Sequence, residues 1–573
     1  MTPESRAAGG RVPEGRAPQG RAPRDAYARL ALDQLPRLLG NLDRDPFSPT
    51  YGCFHRDYWL EKTSDFPDAV RQFSVHALAL VYSHAMPGNV YEGNVRIRDW
   101  AVAALDFWAS IQHKDGSFDE FYPYERGWVG PSAFTAYTSA EAFALLRDEM
   151  PPDVADRVAA ALRRAAEFIG AGESEEDHLG NHHAMACLAV HTVARVLGEE
   201  AAFEPAYQRL WSGFLTYYDS DEGWCREYDG PDPGYLSAVV SFLGKIYVHR
   251  PDPAIKDVRE RAARTCAHFL YPDGGYAGTL GSRNTVHFYP HGFELMAPDS
   301  PLAAAVAEKA LASINEGGLV PPPVMSDRYV VYRVPEYLLA YLDYGDRPDT
   351  LSPLPSELDG QRMVLARAGV ASRTEGRLYA VANLAKGGPV KVFDRSNGDS
   401  LLNDAGLIGK LADGRAFTTQ WIDPDNRVSI QDDKWSVTGT AGYVPSAKVF
   451  TPLKGLIFRA VMVAVGWHSG LSHLVKGRIR KTLILARKCA PVRFARTLEF
   501  AGDSVTVTDT VTLDTGATVE SLRIGGEFHV RYVPQSRYFQ PHELTDGARY
   551  LTDPELARLN TDRQLTIRRV VSA

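Results

Sequence analysis

The 573-residue chain is poor in several features that would each have pointed to a function. Its five cysteines (Cys53, Cys187, Cys225, Cys266 and Cys489) lie far apart and form no CxxC pair. An odd, scattered set argues against a disulfide framework and fits a reducing compartment. No stretch approaches the ~18 continuous apolar residues of a membrane-spanning helix, so no membrane partner is expected. The first 24 residues carry arginines but no apolar run like that of a secretory leader, and a cytoplasmic location is the expectation. Basic residues are not in excess: 63 Lys and Arg against 71 Asp and Glu give a net charge of −8. Nucleic acid is therefore not an expected partner, because nothing offsets phosphate charge. A local basic cleft on such a chain can still hold an anionic sugar polymer. P-loop, GxGxxG and GxSxG patterns are absent, which sets aside nucleotide and serine-hydrolase chemistry.

What is present is organised in two parts. Residues 10–24 contain three Gly-Arg-x-Pro pentads, too rich in Gly and Pro for a helix or a core, so 1–24 reads as a disordered, solvated tail. From about 25 to 345 the pattern is helical, as in DAYARLALDQLPRLL, AVRQFSVHALALVYSHA, RIRDWAVAALDFWASIQ and DVADRVAAALRRAAEFI, with apolar residues at i, i+3, i+4 and i+7. Glycine–aromatic turns recur at Gly116-Ser117-Phe118, Gly223-Trp224 and Gly275-Tyr276, about 107 and then about 52 residues apart. A helix end at Gly170–Gly180 fills the missing slot, giving a period of ~53 residues and a closed or curved array of helical hairpins. After Pro353-x-Pro355 the pattern turns to strands: RLYAVANLA, PVKVF, LIFRAVMVAVGW, RKTLILAR and SVTVTDTVTL. The last alternates strictly, with Val505, Val507, Val511 and Leu513 on one face. The fold class is α+β multidomain, with 25–350 helical, 351–573 an antiparallel β-sandwich, and Leu351–Leu358 as linker.

Five loop segments near hairpin ends collect chemistry-bearing side chains. They run from Tyr51 to Trp59, from Asp115 through Glu120 and Tyr122 to Tyr124, from His178 to His183, from Glu227 to Tyr235, and from Gly281 to Glu294. The last includes Arg283, His287 and His291. Aromatic rings, arginines, histidines and carboxylates mixed in this way suit sugar, which stacks on ring faces and offers hydroxyls to polar groups. Asn181 opens a helix, where N-capping is its plain structural role, and Tyr235 opens another after Asp-Pro-Gly, where packing is the plain reading.

A helical array followed by an antiparallel β-region, with Asn181-His182 opening one helix and Tyr235 opening a later one, resembles the heparinase II/III-like polysaccharide lyases. The separation of Asn181 and Tyr235 is close to one ~53-residue period. The resemblance implies an (α/α) toroid and β-elimination at a uronic acid in an acidic polysaccharide or oligosaccharide. It assigns Asn181 to the sugar carboxylate, His182 or Tyr235 as base and Tyr235 as proton donor to the leaving oxygen. Arg283 would grip a carboxylate or sulfate, with His287 and His291 as sugar contacts or bases and Glu120, Tyr122, Glu227 and Trp59 as sugar contacts. Relatives place a histidine early in the β-domain. Here the comparable stretch, Lys386 to Asp394 and on to Asp404, holds Lys386 and Lys391 but no histidine. A lysine near its usual pKa of ~10.4 is a poor base at neutral pH.

No cofactor and no metal is expected. His287/His291 and His178/His182 are each i, i+4, but Pro290 and Gly180 interrupt the helix that would aim both rings one way. His468 and His473 read as a loop without metal. Three alternatives remain open. A glycoside hydrolase could use two of Asp119, Glu120, Glu227, Asp232 and Glu294; a uronate C5-epimerase would move the same proton; a glycan-binding protein would not turn its ligand over. The sequence leaves the oligomeric state, the uronic acid, and endo or exo action unassigned.

Overall fold

The computed structural model describes residues 23–121, 128–171, 179–444, 451–465, 468, 471, 474, 478, 488–526 and 548–573. Helices come first: α1 (Asp25–Leu32), α2 (Leu35–Asn41), α3 (Arg56–Trp59), α4 (Val75–Ser83), α5 (Val95–Ser110), α6 (Val129–Leu146) and α7 (Pro152–Ala171). They continue with α8 (Gly180–Leu197), α9 (Glu200–Leu215), α10 (Pro233–His249), α11 (Pro253–Ala267), α12 (His291–Glu294), α13 (Pro301–Glu316) and α14 (Asp327–Leu342). Helices α4, α6, α8, α10, α12 and α14 touch in that order, and α14 returns to α4, so these six helices close a ring. Helices α5, α7 and α9 pack one upon the next, α11 packs on α13, and α1 lies against α13 and α14.

Sequence decides which helices take which place. Helix α6, VGPSAFTAYTSAEAFALL, has a single charge and is buried nearly all round, as a ring helix must be. Helix α7 buries one stripe, from Val158 through Leu162 and Ala165 to Ile169, and turns its arginines outward. The glycine–aromatic repeat has a packing origin. Gly116 and Gly223 sit at φ 90° and 71°, and a Cβ on them would lie 2.3 Å from the Arg164 carbonyl oxygen and 2.9 Å from that of Arg261. Each turn is thus pressed against a later helix, α7 or α11, where only glycine fits. In the third motif the left-handed residue is Gly274, one position before Gly275.

Three short strands, β1 (Tyr218–Asp219), β2 (Trp224–Glu227) and β3 (Gly230–Pro231), form a small antiparallel sheet before α10. Further on, β4 (Arg362–Leu365), β5 (Val370–Glu375), β6 (Leu378–Asn383), β7 (Val390–Asp394) and β8 (Ser400–Asp404) make an antiparallel meander. A larger antiparallel sheet takes β9 (Leu407–Leu411), β10 (Ala416–Thr418), β11 (Arg427–Ile430), β12 (Lys434–Tyr443), β13 (Cys489–Ala501), β14 (Ser504–Leu513), β15 (Val519–Ile524), β16 (Arg549–Tyr550) and β17 (Gln564–Ser572). The meander is buried on both faces. Tyr379, Val381 and Phe393 join the core of the helices, while Leu378, Ala380, Ala382, Val390 and Val392 share a core with Trp435, Val437, Phe494 and Val507 of the larger sheet. Double burial explains why β6 and β7 read as near-continuous apolar runs. Tyr271 stacks on Phe393, with ring centroids 5.1 Å apart, and His268 Nδ1 lies 2.9 Å from Ser372 Oγ across the same contact. The alternation of β14 holds, but its inward row also contains Asp509, matched by the buried Arg496 at 2.6 Å.

One segment departs from expectation. Most of LIFRAVMVAVGW, read as a strand, lies in a helix, α15 (Pro452–Val465). A run whose one polar residue is Arg459 carries no period-2 signal, so helix and strand are indistinguishable by periodicity. Arg459 of α15 pairs with Asp65 at 3.0 Å and Met462 is buried. RKTLILAR lies outside the described residues. A further helix, Asp553–Asp562, has a capping box from Thr552 and Glu555, a sequence signal that the strand reading passed over. Among the described residues no helix is long and apolar enough to cross a membrane.

Candidate functional site

The starts of α8 and α10, neighbours in the ring, carry Asn181 and Tyr235. Asn181 is not the N-cap, as expected from sequence; Leu179 holds that position and Asn181 lies inside the first turn. Its partner is Glu227, at the end of β2, which also bridges Leu179. Glu227 is 1% exposed; its Oε1 accepts from the Asn181 backbone N–H at 2.6 Å, and its Oε2 from Asn181 Nδ2 at 2.7 Å. The carboxylate thus satisfies a free N–H at the helix start and fixes the amide orientation.

Asp232 does the equivalent work for Tyr235. It is the N-cap of α10: Oδ1 accepts from Tyr235 N at 3.3 Å, and Oδ2 from the backbone N–H groups of Arg283 at 2.9 Å and Thr285 at 3.4 Å. Burial pushes the Asp232 carboxyl up, and the N–H groups of Arg283, Tyr235 and Thr285 oppose that shift, as does the charge of Lys386. Gly234 makes room for this junction, since a Cβ there would meet Thr285 Cγ2 at 2.5 Å. The Tyr235 side chain is partly exposed. Burial raises its phenol well above the usual value, Tyr329 of α14 adds to this, and Arg283 pulls it back down. The Arg283 guanidinium lies 4.2 Å from the centre of the Tyr228 ring.

Aromatic contacts extend the site. His287 stacks on Tyr329 at 4.1 Å, Tyr329 meets Tyr332 at 5.6 Å, Tyr332 meets Phe134 at 5.5 Å, and Phe134 takes the edge of His182 at 5.4 Å. His183 stacks on Tyr217 at 4.4 Å, and Arg226 lies 5.0 Å from the same ring. The structure thus joins Asn181, His182, Glu227, Tyr235, Arg283 and His287 through shared neighbours. Tyr329, Tyr228 and Asp232 were not expected among them as holders of the site, and no sequence spacing signals Tyr329, which enters through closure of the ring.

Other expected residues are engaged elsewhere. His291 is buried with Nε2 2.7 Å from Asp343 Oδ2, and burial lowers its pKa. His287 and His291 therefore have separate neighbours, and among the described residues no group of three His, Cys, Asp or Glu side chains is placed to hold a metal. Trp59 is half-buried and donates from Nε1 to the Asn41 carbonyl at 2.8 Å. Tyr122, Tyr124, His178 and His473 lie outside the described residues.

The carboxylates weighed for hydrolysis are all committed. Glu120 pairs with Arg328, which also holds Asp68 at 2.8 Å. Asp119 lies 2.9 Å from His113. Glu294, fully buried, accepts from Tyr27 at 2.9 Å and Arg347 at 2.6 Å. With Glu227 on Asn181 and Asp232 on the helix start, none of the five is left as a matched acid and base across an open gap.

The helices close a ring, two antiparallel sheets follow, and Asn181 and Tyr235 stand at the starts of adjacent ring helices. Residues 89–292 match the family model for the ulvan lyase N-terminal domain, a span that contains Asn181, Tyr235 and Arg283. Among solved structures, the chondroitin AC lyase of Streptomyces coelicolor A3 in complex with chondroitin sulphate aligns at 12% identity over 89% of this chain and 69% of that one, with a TM-score of 0.54. A xanthan lyase of Paenibacillus aligns at 10% identity over 87% of this chain, with a TM-score of 0.50, and this chain spans 46% of it. No curated protein sequence matches the chain. The chain is related to the polysaccharide lyases, as its sequence suggested, and lyase action on a glycan is the activity this relationship supports.

Proposed function

We propose that this protein cleaves a uronate-containing acidic polysaccharide by β-elimination, at a site on the rim of an (α/α) toroid (residues 25–350) joined to an antiparallel β-sandwich (351–573). The observation that carries the reading is the pairing of Asn181, oriented by Glu227, with Tyr235, capped by Asp232, at the starts of adjacent ring helices. The Asn181 amide donates to the uronate carboxylate and favours the charge that develops as the C5 proton leaves. Tyr235 as phenolate takes that proton, and as phenol returns one to the departing O4. Arg283, close enough to lower the Tyr235 pKa, favours the phenolate and offers its guanidinium to an anionic group of the sugar. His182 is the second candidate base; Tyr228, half-buried under the Arg283 guanidinium, offers its ring to the sugar, and the buried His287 and Tyr329 back the Tyr235 side of the site.

Elimination leaves a C4–C5 double bond conjugated with the carboxylate, which absorbs in the ultraviolet; hydrolysis and epimerisation leave none. The test is absorbance during incubation with ulvan, chondroitin sulphate, heparan sulphate and alginate. A rise that Tyr235→Phe abolishes supports the reading. A flat trace with new reducing ends overturns it in favour of hydrolysis, and a flat trace with solvent deuterium at C5 overturns it in favour of epimerisation.

A further inference from the structure

One lysine of the β-region reaches the proposed site. Lys386, on the turn between β6 and β7, is 3% exposed. Its Nζ donates to Thr279 O at 2.8 Å, Gly281 O at 2.6 Å and Asn284 Oδ1 at 2.6 Å. These are as many acceptors as an ammonium has hydrogens. Asn383, at the end of β6, adds a bond from Nδ2 to Leu280 O at 2.7 Å, and its Oδ1 accepts from Lys386 N at 3.1 Å. All the acceptors from Thr279 to Asn284 belong to the loop that carries Arg283. The loop is held from the other side as well, because the N–H groups of Arg283 and Thr285 bind Asp232, the cap of Tyr235. Asn284 adopts φ 55°, a left-handed backbone that is unfavourable for a side-chain-bearing residue and persists only where its surroundings impose it.

We propose that Lys386 is a positioning residue: from the β-region it sets the Thr279–Thr285 loop, and through that loop the Arg283 guanidinium and the Asp232 cap of Tyr235. This rests on the elimination reading above for its effect on rate. Burying an ammonium costs several kcal/mol unless its hydrogens are satisfied, and a methionine of similar volume would fill the same space without that cost. A cation kept here therefore does something that packing alone does not require. Lys386 touches the loop, through two backbone carbonyls and the Asn284 side chain, and acts on substrate only through Arg283 and Tyr235.

The test compares the full chain with Lys386→Met, reading kcat and KM on the polymer that the wild type cleaves, the unfolding midpoint, and amide hydrogen exchange of residues 278–285. Expected for Lys386→Met are a kcat lower by ~10- to 100-fold, as for a misplaced catalytic group, KM changed by less than ~3-fold, and faster exchange in the loop. Lys386→Ala should regain part of the lost kcat with added ethylammonium, which a merely structural defect would not allow. Should Lys386→Met fail to fold, Asn284→Gly tests the same clamp more mildly, because it removes one acceptor and tolerates the φ; its expected result is a several-fold loss of kcat with faster exchange. A folded variant with wild-type kcat, or with wild-type exchange in 278–285, overturns the proposal. If the wild type cleaves no uronate polymer, the elimination reading fails by itself. Loop exchange then decides the clamp alone, and unchanged protection in the variants overturns it.

Discussion

Glu227 touches no reacting atom in the proposed mechanism, yet truncating it should nearly abolish turnover. Its two oxygens hold Asn181 by the backbone N–H and by Nδ2, at 2.6 and 2.7 Å, in a fully buried setting. Hydrogen bonds to an ionised acceptor contribute about 1.5–3 kcal/mol each, so the amide is held far more firmly than a lone asparagine on a helix start. In Glu227→Ala the amide is free to turn over or swing, and the donor aimed at the uronate carboxylate is lost for much of the time. Loss of one such donor costs about 10²–10³ in kcat, and a loss near the lower end is expected because the donor is displaced and not deleted. KM should move little, since the aromatic and arginine contacts of the sugar path are untouched. Glu227→Gln keeps the shape but turns one acceptor into a donor facing a donor, and an intermediate fall of ~10-fold is expected. Initial rates of ultraviolet absorbance at saturating substrate measure this, with circular dichroism confirming the fold. A folded Glu227→Ala with kcat within a factor of about 3 of wild type would show that the Asn181 orientation is not what the reaction depends on.

Three further outcomes follow from the same contacts. Burial raises the Tyr235 phenol and Arg283 lowers it, so kcat/KM should climb with pH along an alkaline limb, and Arg283→Gln should move that limb to higher pH; a profile flat from about pH 6 to about pH 10 would remove Tyr235 as the titrating base. His76, buried against Tyr137, has its pKa lowered by burial and by nearby Lys245 and His291 to about 3. It stays neutral in the fold while the unfolded chain gains a proton below about pH 6.5, so stability is lost as pH falls, by ~3 kcal/mol near pH 4. His76→Phe should flatten that loss in urea unfolding, and an unchanged slope refutes the assignment. Arg496, 2% exposed, binds Asp404 at 3.0 Å and Asp509 at 2.6 Å; Arg496→Met leaves two buried carboxylates to Arg569 alone and should cost about 3–5 kcal/mol in unfolding free energy, whereas a cost under about 1 kcal/mol would mean that Arg569 suffices.

The helical half is legible because local pattern and global place agree. A helix with one charge in 18 residues, α6, has to be enclosed, and α7 with its single apolar stripe has to face outward. The repeat of glycine turns is legible for the same reason, since each turn is pressed against a later helix, at a carbonyl for Gly116 and Gly223 and at the Ser313 side chain for Gly274. In the β-half, β14 announces itself by alternation, whereas α15 does not, because a largely apolar run with only Lys454 and Arg459 in it fits a helix and a strand alike.

The site divides along a different line. Asn181 and Tyr235 are visible as unusual residues at helix starts, but Glu227, which holds Asn181, lies 46 residues away, and Asp232, 3 residues before Tyr235, is itself held by Thr285 53 residues on, in a loop that Lys386 of the β-region clamps. Such contacts depend on ring closure and sheet docking, which no local spacing records. The carboxylates show the consequence most clearly. Read along the chain, Asp119, Glu120, Glu227, Asp232 and Glu294 are five loop acids open to catalysis. In the fold each is already bound, to His113, to Arg328, to Asn181, to two N–H groups of the Arg283 loop, and to Tyr27 with Arg347. An acid that serves as the fixed acceptor of a buried donor is not free to shuttle a proton, because protonating it would break the contact it maintains. Two of these carboxylates, Glu227 and Asp232, steady an amide and the start of the helix that carries a phenol, the groups that the proposed elimination at a uronate uses and that hydrolysis does not need.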